Sequence, residues 1–504
     1  MRRPAAALVF VLAAAAFGGC GQSERAAPAS LVPVGSIVYG EVILDPKGDQ
    51  QDAVTELAAR FPGGDDLSEQ IDKGLTESFR EDGLDYEKDV KPWLGDEAVF
   101  FLSEASGEDA EGAVVIETDD GDAALKAFEK GSKGKAKKRS YEGTDVFVEQ
   151  ETAYAVVDDH AVIGTEKGVR ETIDTSKEGA DSIEDSERAN EALDRLDDPL
   201  AAVYVDGRKL VGAVGGAQAE LLAPLLDAFD EPYVVGFSAE SDAVVVESTL
   251  PRELTGFLLP FAFGSGTDAL EQLPADAWLA AGQPEIGKTI AKLLDLVEQS
   301  GAFGAQIEEG FKTATQLDLR EDVLSWMGDL TLFSRGTSVA DLEAGLAIQT
   351  SDPAASRRTL SAVRRLVARG ASDGEEVQPL SLPGGGDGFT LTSPELPESV
   401  HFALRDEEVV IGYGDAATEE LFEPTDALGD DQEFNAAAER LGSGFVPATY
   451  LEFAPILELA ENEGATSDPE FLKALPYLEP LVRVVAGTKE DGDVVVSRTR
   501  VEVR

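Results

Sequence analysis

The chain is poor in the residues that build disulfide frameworks, thiolate metal sites and surfaces for nucleic acid. Its 504 residues include one cysteine and two histidines, which excludes a disulfide framework and any multi-thiolate metal site. It has 42 Lys and Arg against 98 Asp and Glu, so its formal net charge is −56. Because a nucleic-acid-binding protein needs a basic face, this balance argues against nucleic acid as a partner.

Long apolar runs are also missing from the chain after its N-terminus. No later segment approaches the roughly 18 consecutive apolar residues of a membrane-spanning helix, so we expect a mature chain that does not span the bilayer. Hydrophobic residues nevertheless make up 43% of the sequence and aromatic residues 7%. This composition is typical of a folded protein and not of a disordered acidic tail. The length allows about three domains.

The N-terminus predicts where the protein goes. Arg2 and Arg3 precede an apolar run at 5–17 that is too short to span a bilayer. The run ends in Phe-Gly-Gly-Cys20, which resembles a bacterial lipobox. The resemblance implies that residues 1–19 are a lipoprotein signal peptide and that Cys20 carries a diacylglyceryl anchor. The alternative is an ordinary secretory signal with a chance cysteine. Removal of both arginines would change the net charge from −56 to −58.

The rest of the chain repeats itself. Residues 84–96 and 317–329 agree at 7 of 13 positions without a gap, and the identities include Trp93 and Trp326. The flanking sequences fall into the same register. A period this long indicates duplication of a whole unit and not a solenoid of short repeats. We therefore predict the following segments: a tether at 20–30, a first repeat at 31–250, an apolar linker at 251–270 and a second repeat at 271–504.

Each repeat mixes strand-like and helix-like patterns. Short β-type segments joined by tight turns, such as 158–160, predict antiparallel hairpins. Amphipathic stripes between these segments predict helices. The fold class expected is therefore α+β, with two tandem copies of an antiparallel sheet and helices packed on one face.

The repeated Trp-containing motif has a structural explanation. Asp85 and Asp318 are expected to cap a short helix. That helix should end at Gly95 in the first repeat and Gly328 in the second, where a left-handed turn suits glycine. The tryptophan would then pack the helix against the sheet. An aromatic platform for a ligand is the alternative.

Three segments together resemble a known family. They are the lipobox, residues 31–42 (LVPVGSIVYGEV) and residues 89–98 (DVKPWLGDEA). In combination they are similar to the bacterial family catalogued as domain of unknown function 3352. The resemblance would cover most of the mature chain. It implies no activity, no cofactor and no catalytic residue.

Residues 282–289 match the pattern of a nucleotide-binding P-loop, which would place Lys288 on the phosphates and Thr289 on Mg²⁺. A P-loop needs its residues unwound around the phosphate. Here Ile286 is in phase with the apolar stripe that follows, Pro284 lacks an N–H, and Glu285 would repel an anion. We therefore expect a helix start at this position and no phosphate site.

Other catalytic signals are weak. His160 and His401 are expected to lie exposed beside hairpin turns, where histidine is common. No metal site is predicted. With 98 acidic residues a pair of catalytic carboxylates stays open as an alternative, but the sequence does not locate one.

The basic residues form two islands. The first island lies within ten residues and comprises Lys130, Lys133, Lys135, Lys137, Lys138 and Arg139. The second lies at the equivalent place in the second repeat and comprises Arg357, Arg358, Arg364, Arg365 and Arg369. Two interpretations stay open. The cations could complete a solvated helix end and pair with nearby acids, or they could dock on anionic lipid headgroups or envelope polymers.

These observations predict a lipid-anchored protein on the extracytoplasmic side of the cell membrane. We expect it to be a non-enzymatic binding or envelope-organising protein. Its partners would be the membrane, through the anchor, and an envelope polymer, lipid or protein. Two alternatives are a carrier of a lipid or other apolar ligand, and a hydrolase with unlocated carboxylates. The apolar segment at 254–263 would either pack between the repeats or form a flap over an apolar cavity.

The anchor gives a first testable prediction. Wild-type protein should sediment with membranes, whereas Cys20→Ser should release the protein or stall its processing, because serine cannot accept the diacylglyceryl group. Membrane and soluble fractions are compared by immunoblotting. Recovery of the wild-type chain from the cytoplasm would contradict the prediction.

Overall fold

The structure is a computed structural model that divides into two compact units, Met1–Pro251 and Arg252–Arg504. It describes residues 26–64, 67–81, 83–106, 109–213, 230–252, 266–299, 304–372, 374–382 and 385–504. The signal peptide, Cys20 and the apolar segment at 254–263 lie outside the described residues.

Unit 1 contains an antiparallel sheet of ten strands among its described residues. The strands are β1 Val38–Ile43, β2 Leu94–Ser106, β3 Asp109–Thr118, β4 Lys137–Tyr141, β5 Thr144–Glu149, β6 Thr152–Val157, β7 His160–Gly164, β8 Ala201–Val205, β9 Tyr233–Glu240 and β10 Ala243–Pro251. Their order in the sheet is β4-β5-β6-β7-β3-β2-β1-β8-β9-β10. The predicted hairpin joins β6 and β7 through Asp158 and Asp159, which have φ of 44° and 61°, as two-residue hairpin turns require.

Unit 2 repeats this sheet with ten further strands. They are β11 Leu279–Gln283, β12 Met327–Arg335, β13 Glu343–Thr350, β14 Glu376–Pro379, β15 Asp387–Thr392, β16 Val400–Arg405, β17 Glu408–Tyr413, β18 Val446–Glu452, β19 Leu481–Asp491 and β20 Val494–Val503. Their order is β14-β15-β16-β17-β13-β12-β11-β18-β19-β20. Each strand therefore has a counterpart ten numbers earlier, and both units have the same topology.

Helices complete the α+β fold. Those described in unit 1 are α1 Asp49–Ala58, α2 Leu67–Glu81, α3 Gly121–Gly131, α4 Glu166–Thr175, α5 Glu187–Leu193 and α6 Gly207–Ala213. Those described in unit 2 are α7 Ile286–Gln299, α8 Gly304–Thr315, α9 Pro353–Gly370, α10 Asp415–Phe422, α11 Gln432–Glu439, α12 Phe453–Asn462 and α13 Pro469–Leu478. The helix α9 follows β13 as α3 follows β3, so these two helices are counterparts.

The helices cover both faces of the sheet, so the expectation of helices on one face was wrong. Successive residues of a strand point to opposite faces. In β13, Ala347 packs with Leu421 and Phe434 of α10 and α11, whereas the next residue, Ile348, packs with Leu360 of α9. Both faces of the strand carry apolar residues, so a single layer of helices would leave one apolar face in water.

The Trp motif folds in the same way in both units. Asp85 caps a single π-helical turn by accepting a hydrogen bond from the Lys88 N–H, and Asp318 caps the equivalent turn. Trp93 donates its Nε1–H to the Asp89 carbonyl oxygen at 2.7 Å, and Trp326 makes the equivalent bond at 3.0 Å. Each indole is 3% exposed. The motif therefore fills the core, in agreement with the packing explanation.

The role of the two motif glycines differs from the prediction. The short helical segments end at Trp93 and Trp326, and Gly95 and Gly328 already belong to β2 and β12. Neither glycine has positive φ. A Cβ at Gly95 would come within 2.8 Å of Glu117. Close approach of the neighbouring strand, and not a left-handed turn, requires glycine at Gly95.

Ordered structure is already present before Leu31, where the first repeat was predicted to begin. A 3₁₀ helix at Ala27–Leu31 buries Pro28, Ala29 and Leu31. Its counterpart in unit 2, Asp268–Gln272, buries Leu270. The Ala-Pro-Ala-Ser sequence of the first segment has the composition of a tether, but its small apolar side chains fit against the core.

The buried indoles give a second prediction. Trp93→Ala should lower the free energy of unfolding of unit 1 by about 3–5 kcal/mol, the usual cost of emptying a buried aromatic site. Urea denaturation followed by circular dichroism measures it. The matched control is Trp278→Ala, because Trp278 is only half-buried and should cost less. An equal loss in both variants would show that Trp93 has no special role in the core.

Candidate functional site

The first basic island lies at one edge of the sheet of unit 1. Lys130 is in the last turn of α3. The chain then turns through Lys133, which has a φ of 55°, and enters β4 with Lys137, Lys138 and Arg139. Among the described strands of unit 1, β4 pairs with β5 alone, and four of its five residues are exposed. Charged side chains on such an edge strand prevent it from pairing with another chain.

Three cations of the island are neutralised by carboxylates. Lys130 Nζ lies 2.5 Å from Asp89 Oδ2, Lys138 Nζ lies 2.5 Å from Asp145 Oδ2, and Arg139 Nη1 lies 2.8 Å from Glu166 Oε1. The hydrogen bond from Lys130 lowers the pKa of Asp89. The ion pairs of these three residues agree with the interpretation in which the cations complete a solvated helix end and pair with nearby acids.

The other three cations have no such partner. Within the described part of unit 1, the exposed side chains of Lys133, Lys135 and Lys137 make no ion pair. Lys126, four residues before Lys130 on α3, is likewise exposed and unpaired. The sequence analysis did not include Lys126 in the island, because this residue precedes the dense run of basic residues at 130–139. Its spacing of four residues nevertheless places it beside Lys130 on the helix. Within the described residues, three free cations therefore lie at this edge and a fourth lies on α3.

The first described segment and the island contact the same helix. The Ala27 N–H donates to Glu97 Oε2 at 2.6 Å, and burial raises the pKa of Glu97. The 3₁₀ helix at Ala27–Leu31 packs against α4. Glu166, the first residue of α4, is the partner of Arg139. One helix of ten residues, about 15 Å long, therefore contacts both the start of the fold and the island.

The second island lies on α9 of unit 2. The helix buries Ala355 and Leu360 and exposes its five arginines. Arg357 pairs with Asp387, and Arg369 donates to the Ala314 carbonyl oxygen at 2.8 Å. The two islands occupy equivalent places in the topology, since α3 and α9 are counterparts.

The segment that matches the P-loop pattern forms a strand end and a helix. Gln283 ends β11, and α7 begins at Ile286, which is buried. Lys288 pairs with Glu285, and Thr289 is buried. A Cβ at Gly287 would meet the Leu324 carbonyl oxygen at 2.1 Å, so this glycine serves close packing. The geometry provides no loop that could surround a phosphate.

His401 is buried, which corrects the expectation of an exposed residue beside a turn. It lies on β16 between β15 and β17 and is 5% exposed. Its Nδ1 is 3.1 Å from Thr390 Oγ1, and its Nε2 is 2.9 Å from Asp415 Oδ1. The order hydroxyl, imidazole, carboxylate resembles a nucleophilic triad. However, Thr390 lies on β15 with a strand on each side, so the nearby backbone N–H groups belong to the sheet and cannot form an oxyanion hole. His160 is in β7, with Nδ1 2.6 Å from the Asp158 carbonyl oxygen.

A groove of about 550 Å³ in unit 2 is lined by Arg405, Glu408 and Phe422 among others. Burial raises the pKa of Glu408 to about 6, although Arg405 opposes the shift. A hydrolase with two carboxylates would need a second carboxylate facing Glu408. Asp406 and Glu407 line the same groove. Arg405 lies there too, with its guanidinium stacked on Phe422 at 4.3 Å to the ring centroid. The groove therefore brings three acidic residues and one arginine together.

Across the described ranges, no helix combines the length and the apolar character needed to cross a membrane. The same residues contain no group of three or more His, Cys, Asp or Glu side chains placed to hold a metal ion.

The sequence comparison decides the family. A family model described as "Protein of unknown function (DUF3352)" matches residues 5–470. The chain belongs to this DUF3352 family. The resemblance noted in the lipobox, the opening segment and the Trp motif is thereby confirmed. No curated protein matches the sequence.

Three solved structures are similar to part of this DUF3352 chain. They are crystal forms III, IV and I of TP0453, with sequence identities of 10%, 9% and 11% and TM-scores of 0.25, 0.26 and 0.25. The matches cover 45%, 47% and 46% of this chain and 80%, 86% and 80% of the other. Likeness at this level establishes neither the fold nor the function of the DUF3352 chain.

The raised pKa of Glu408 gives a third prediction. A carboxyl group whose pKa is higher in the folded state than the ordinary 4.5 binds more protons when folded. Its contribution to stability is therefore present below pH 4.5 and is lost as the pH rises through about 6. Glu408→Gln removes this loss, so the variant should gain about 2 kcal/mol over wild type between pH 4 and pH 7.

Urea denaturation at both pH values measures the difference. Glu407→Gln is the matched control, because it makes the same change at the exposed neighbouring residue. A constant difference between Glu408→Gln and wild type across this range would contradict the prediction.

Proposed function

We propose that this protein is a lipid-anchored binding protein on the extracytoplasmic side of the cell membrane, and that unit 1 docks on anionic lipid headgroups. The docking surface comprises the free cations Lys126, Lys133, Lys135 and Lys137, with Lys130, Lys138 and Arg139 beside them. Residues 1–19 would be the signal peptide and Cys20 the lipidated residue. The observation that carries the proposal is the group of cations without ion pairs near the start of the fold.

The short tether supports this proposal. Ala26, the first described residue, is six positions after Cys20 in the sequence. A fully extended chain spans at most about 3.5 Å per residue, so the anchor would hold the first folded residue within about 20 Å of the membrane surface. Surfaces near Ala27–Leu31 would then lie close to the headgroups. The first island is a candidate for such a surface, because α4 contacts both the first 3₁₀ helix and Arg139.

The charge distribution gives the second support. An anionic membrane repels a chain with a net charge of −56, and the repulsion acts over a Debye length of about 8 Å at physiological salt. An orientation that turns acidic surface inward is therefore disfavoured. Each lysine near an anionic surface contributes about 1 kcal/mol. A cation that already pairs with a carboxylate contributes less, so the free lysines should dominate.

A carrier of a lipid or other apolar ligand is the second candidate. The observation that favours it is in unit 2, where α12 and α13 bury none of their residues fully. Leu472 is 49% exposed and Tyr477 is 53% exposed. Soluble proteins rarely leave such apolar surface without use. A lipid that stays bound to the extracted protein in native mass spectrometry would favour the carrier.

The fourth prediction tests the docking surface. A chain that starts at residue 21 retains every described element and should bind vesicles with anionic headgroups but not neutral vesicles. The variant Lys133→Gln, Lys135→Gln, Lys137→Gln should bind about a hundredfold more weakly, since three lysines contribute about 3 kcal/mol. Co-sedimentation at low and physiological salt measures the affinities, and binding should fall as salt rises.

The matched control changes the net charge by the same amount elsewhere on unit 1. Lys88, Lys91 and Lys177 are paired with carboxylates, so their replacement by Gln should leave vesicle binding nearly unchanged. Equal and negligible binding of wild type to both kinds of vesicle would overturn the proposal, and so would an equal loss in both triple variants.

A further inference from the structure

The helix α9 of unit 2 has an unusual charge composition. Its 18 residues, Pro353–Gly370, include five arginines and no Asp or Glu. In the whole chain Asp and Glu account for 98 of 504 residues, or about one in five. Helices of acidic proteins commonly place acids three or four residues from their cations, which stabilises both charges. This helix has no such internal pair.

The arginines lie along the exposed side of the helix in a nearly straight line. Arg358, Arg365 and Arg369 are seven and four residues apart, which places them within about 40° around the axis at 100° per residue. Along the axis they are separated by about 10 Å and 6 Å. Arg364 flanks this line. The result is a narrow strip of positive charge about 16 Å long.

Most of this charge is not neutralised within the described part of the chain. Arg358, Arg364 and Arg365 are exposed and make no ion pair there. Arg369 donates to the carbonyl oxygens of Ala314 and Arg365, which fixes its guanidinium without removing its charge. Of the five, Arg357 has a carboxylate partner, Asp387.

The two described acids directly after the helix accept other hydrogen bonds. Glu375 accepts from the Ser372 N–H at 2.6 Å, and Glu376 accepts from the Gln378 side-chain amide at 2.8 Å. Their carboxylates are therefore engaged on their own segment. Like charges four residues apart on a helix repel each other. The basic composition of the strip therefore does not stabilise the helix.

The opposite side of α9 cannot take part in binding. Ala355 and Leu360 pack in one core with Trp326 and Phe389, and Trp326 Nε1 also lies 3.4 Å from Thr359 Oγ1 of the helix. An amphipathic helix binds a bilayer by placing its apolar side among the acyl chains. Because this side is occupied by the protein core, a partner of α9 can engage the charged strip but not an apolar side.

From these observations we propose that the arginine strip of α9 binds a linear polymer of phosphate groups. A chain of anions can follow the strip and meet Arg358, Arg365 and Arg369 in turn, with Arg364 about 100° around the axis from Arg365. Guanidinium groups suit phosphate because their donors form two parallel hydrogen bonds to its oxygens. This interaction is independent of the docking of unit 1 on lipid headgroups.

The fifth prediction uses the full lipidated chain in nanodiscs of neutral lipid, with inorganic polyphosphate as the probe. Wild type should bind polyphosphate with an affinity that falls steeply with salt. Arg358→Gln, Arg364→Gln, Arg365→Gln should weaken binding at least tenfold. It should also reduce the slope of log affinity against log salt by about two, since three phosphate contacts are lost. Replacement of the same residues by Lys should keep the salt slope and lose part of the affinity.

The controls separate this proposal from the previous one. The variant Lys133→Gln, Lys135→Gln, Lys137→Gln should bind polyphosphate like wild type, and the arginine variant should bind anionic vesicles like wild type. Unchanged polyphosphate affinity and salt slope in the arginine variant would overturn the inference. Loss of vesicle binding without loss of polyphosphate binding would overturn it too, because α9 would then be a lipid surface. All variants are first compared with wild type by urea denaturation.

Discussion

The indole of Trp93, like that of Trp326, connects a capped turn to a helix on the back of the sheet. Its N–H is donated to a carbonyl oxygen inside the turn, so the polar atom of a buried side chain is satisfied locally. Its ring then packs on the helix, with Phe128 of α3 at 5.7 Å in an edge-to-face arrangement. The apolar side of α3, and likewise of α9, is therefore fixed against the protein. The outward side of each helix is free to vary. The second basic island lies on that side of α9, and the first begins there on α3 with Lys130 and continues into the turn and β4.

The electrostatics of the islands depends on the acids around them. With 98 acids against 42 Lys and Arg, an exposed cation in this chain has many carboxylates available. Lys47 and Lys177 illustrate the usual outcome, since both are exposed and paired. Exposed ion pairs contribute little to stability, so their absence at an island costs the fold almost nothing. It does change the local potential, because an unpaired cation attracts anions more strongly than a neutralised one.

Local patterns in the sequence predicted the parts of the fold that depend on local physics. Asp85 and Asp318 cap their turns as expected, because the cap is made within four residues. The hairpin at Asp158 and Asp159 follows from its two-residue length. The placement of helices on both faces could not be predicted in this way. It depends on which helices pack against each face in the folded unit, as the separate cores around Ala347 and Ile348 of β13 show.

The predictions for single residues that were wrong also depended on contacts that form only in the folded unit. Gly95 appeared to be a helix end, but its requirement comes from Glu117 on the next strand. His401 appeared exposed because it follows a loop in the sequence, yet β15 and β17 enclose it. The cations of the first island were found from their density along the chain. Which of them are free was not predictable, because Lys130 finds Asp89, Lys138 finds Asp145 and Arg139 finds Glu166 only in the folded unit.

Duplication produced two equivalent positions, and the two units use different cations there. In unit 1 the free charges are lysines on a helix, a turn and an edge strand, so they are spread in several directions on flexible stems. An array of this kind suits a surface of mobile headgroups, where charge matters more than geometry. In unit 2 the free charges are arginines on a single helix whose core side is fixed by Trp326. A fixed position on a helix matters most for a planar donor such as guanidinium, since its two parallel hydrogen bonds to a phosphate need a defined orientation. The same scaffold therefore supports a diffuse electrostatic surface in one unit and a directional one in the other.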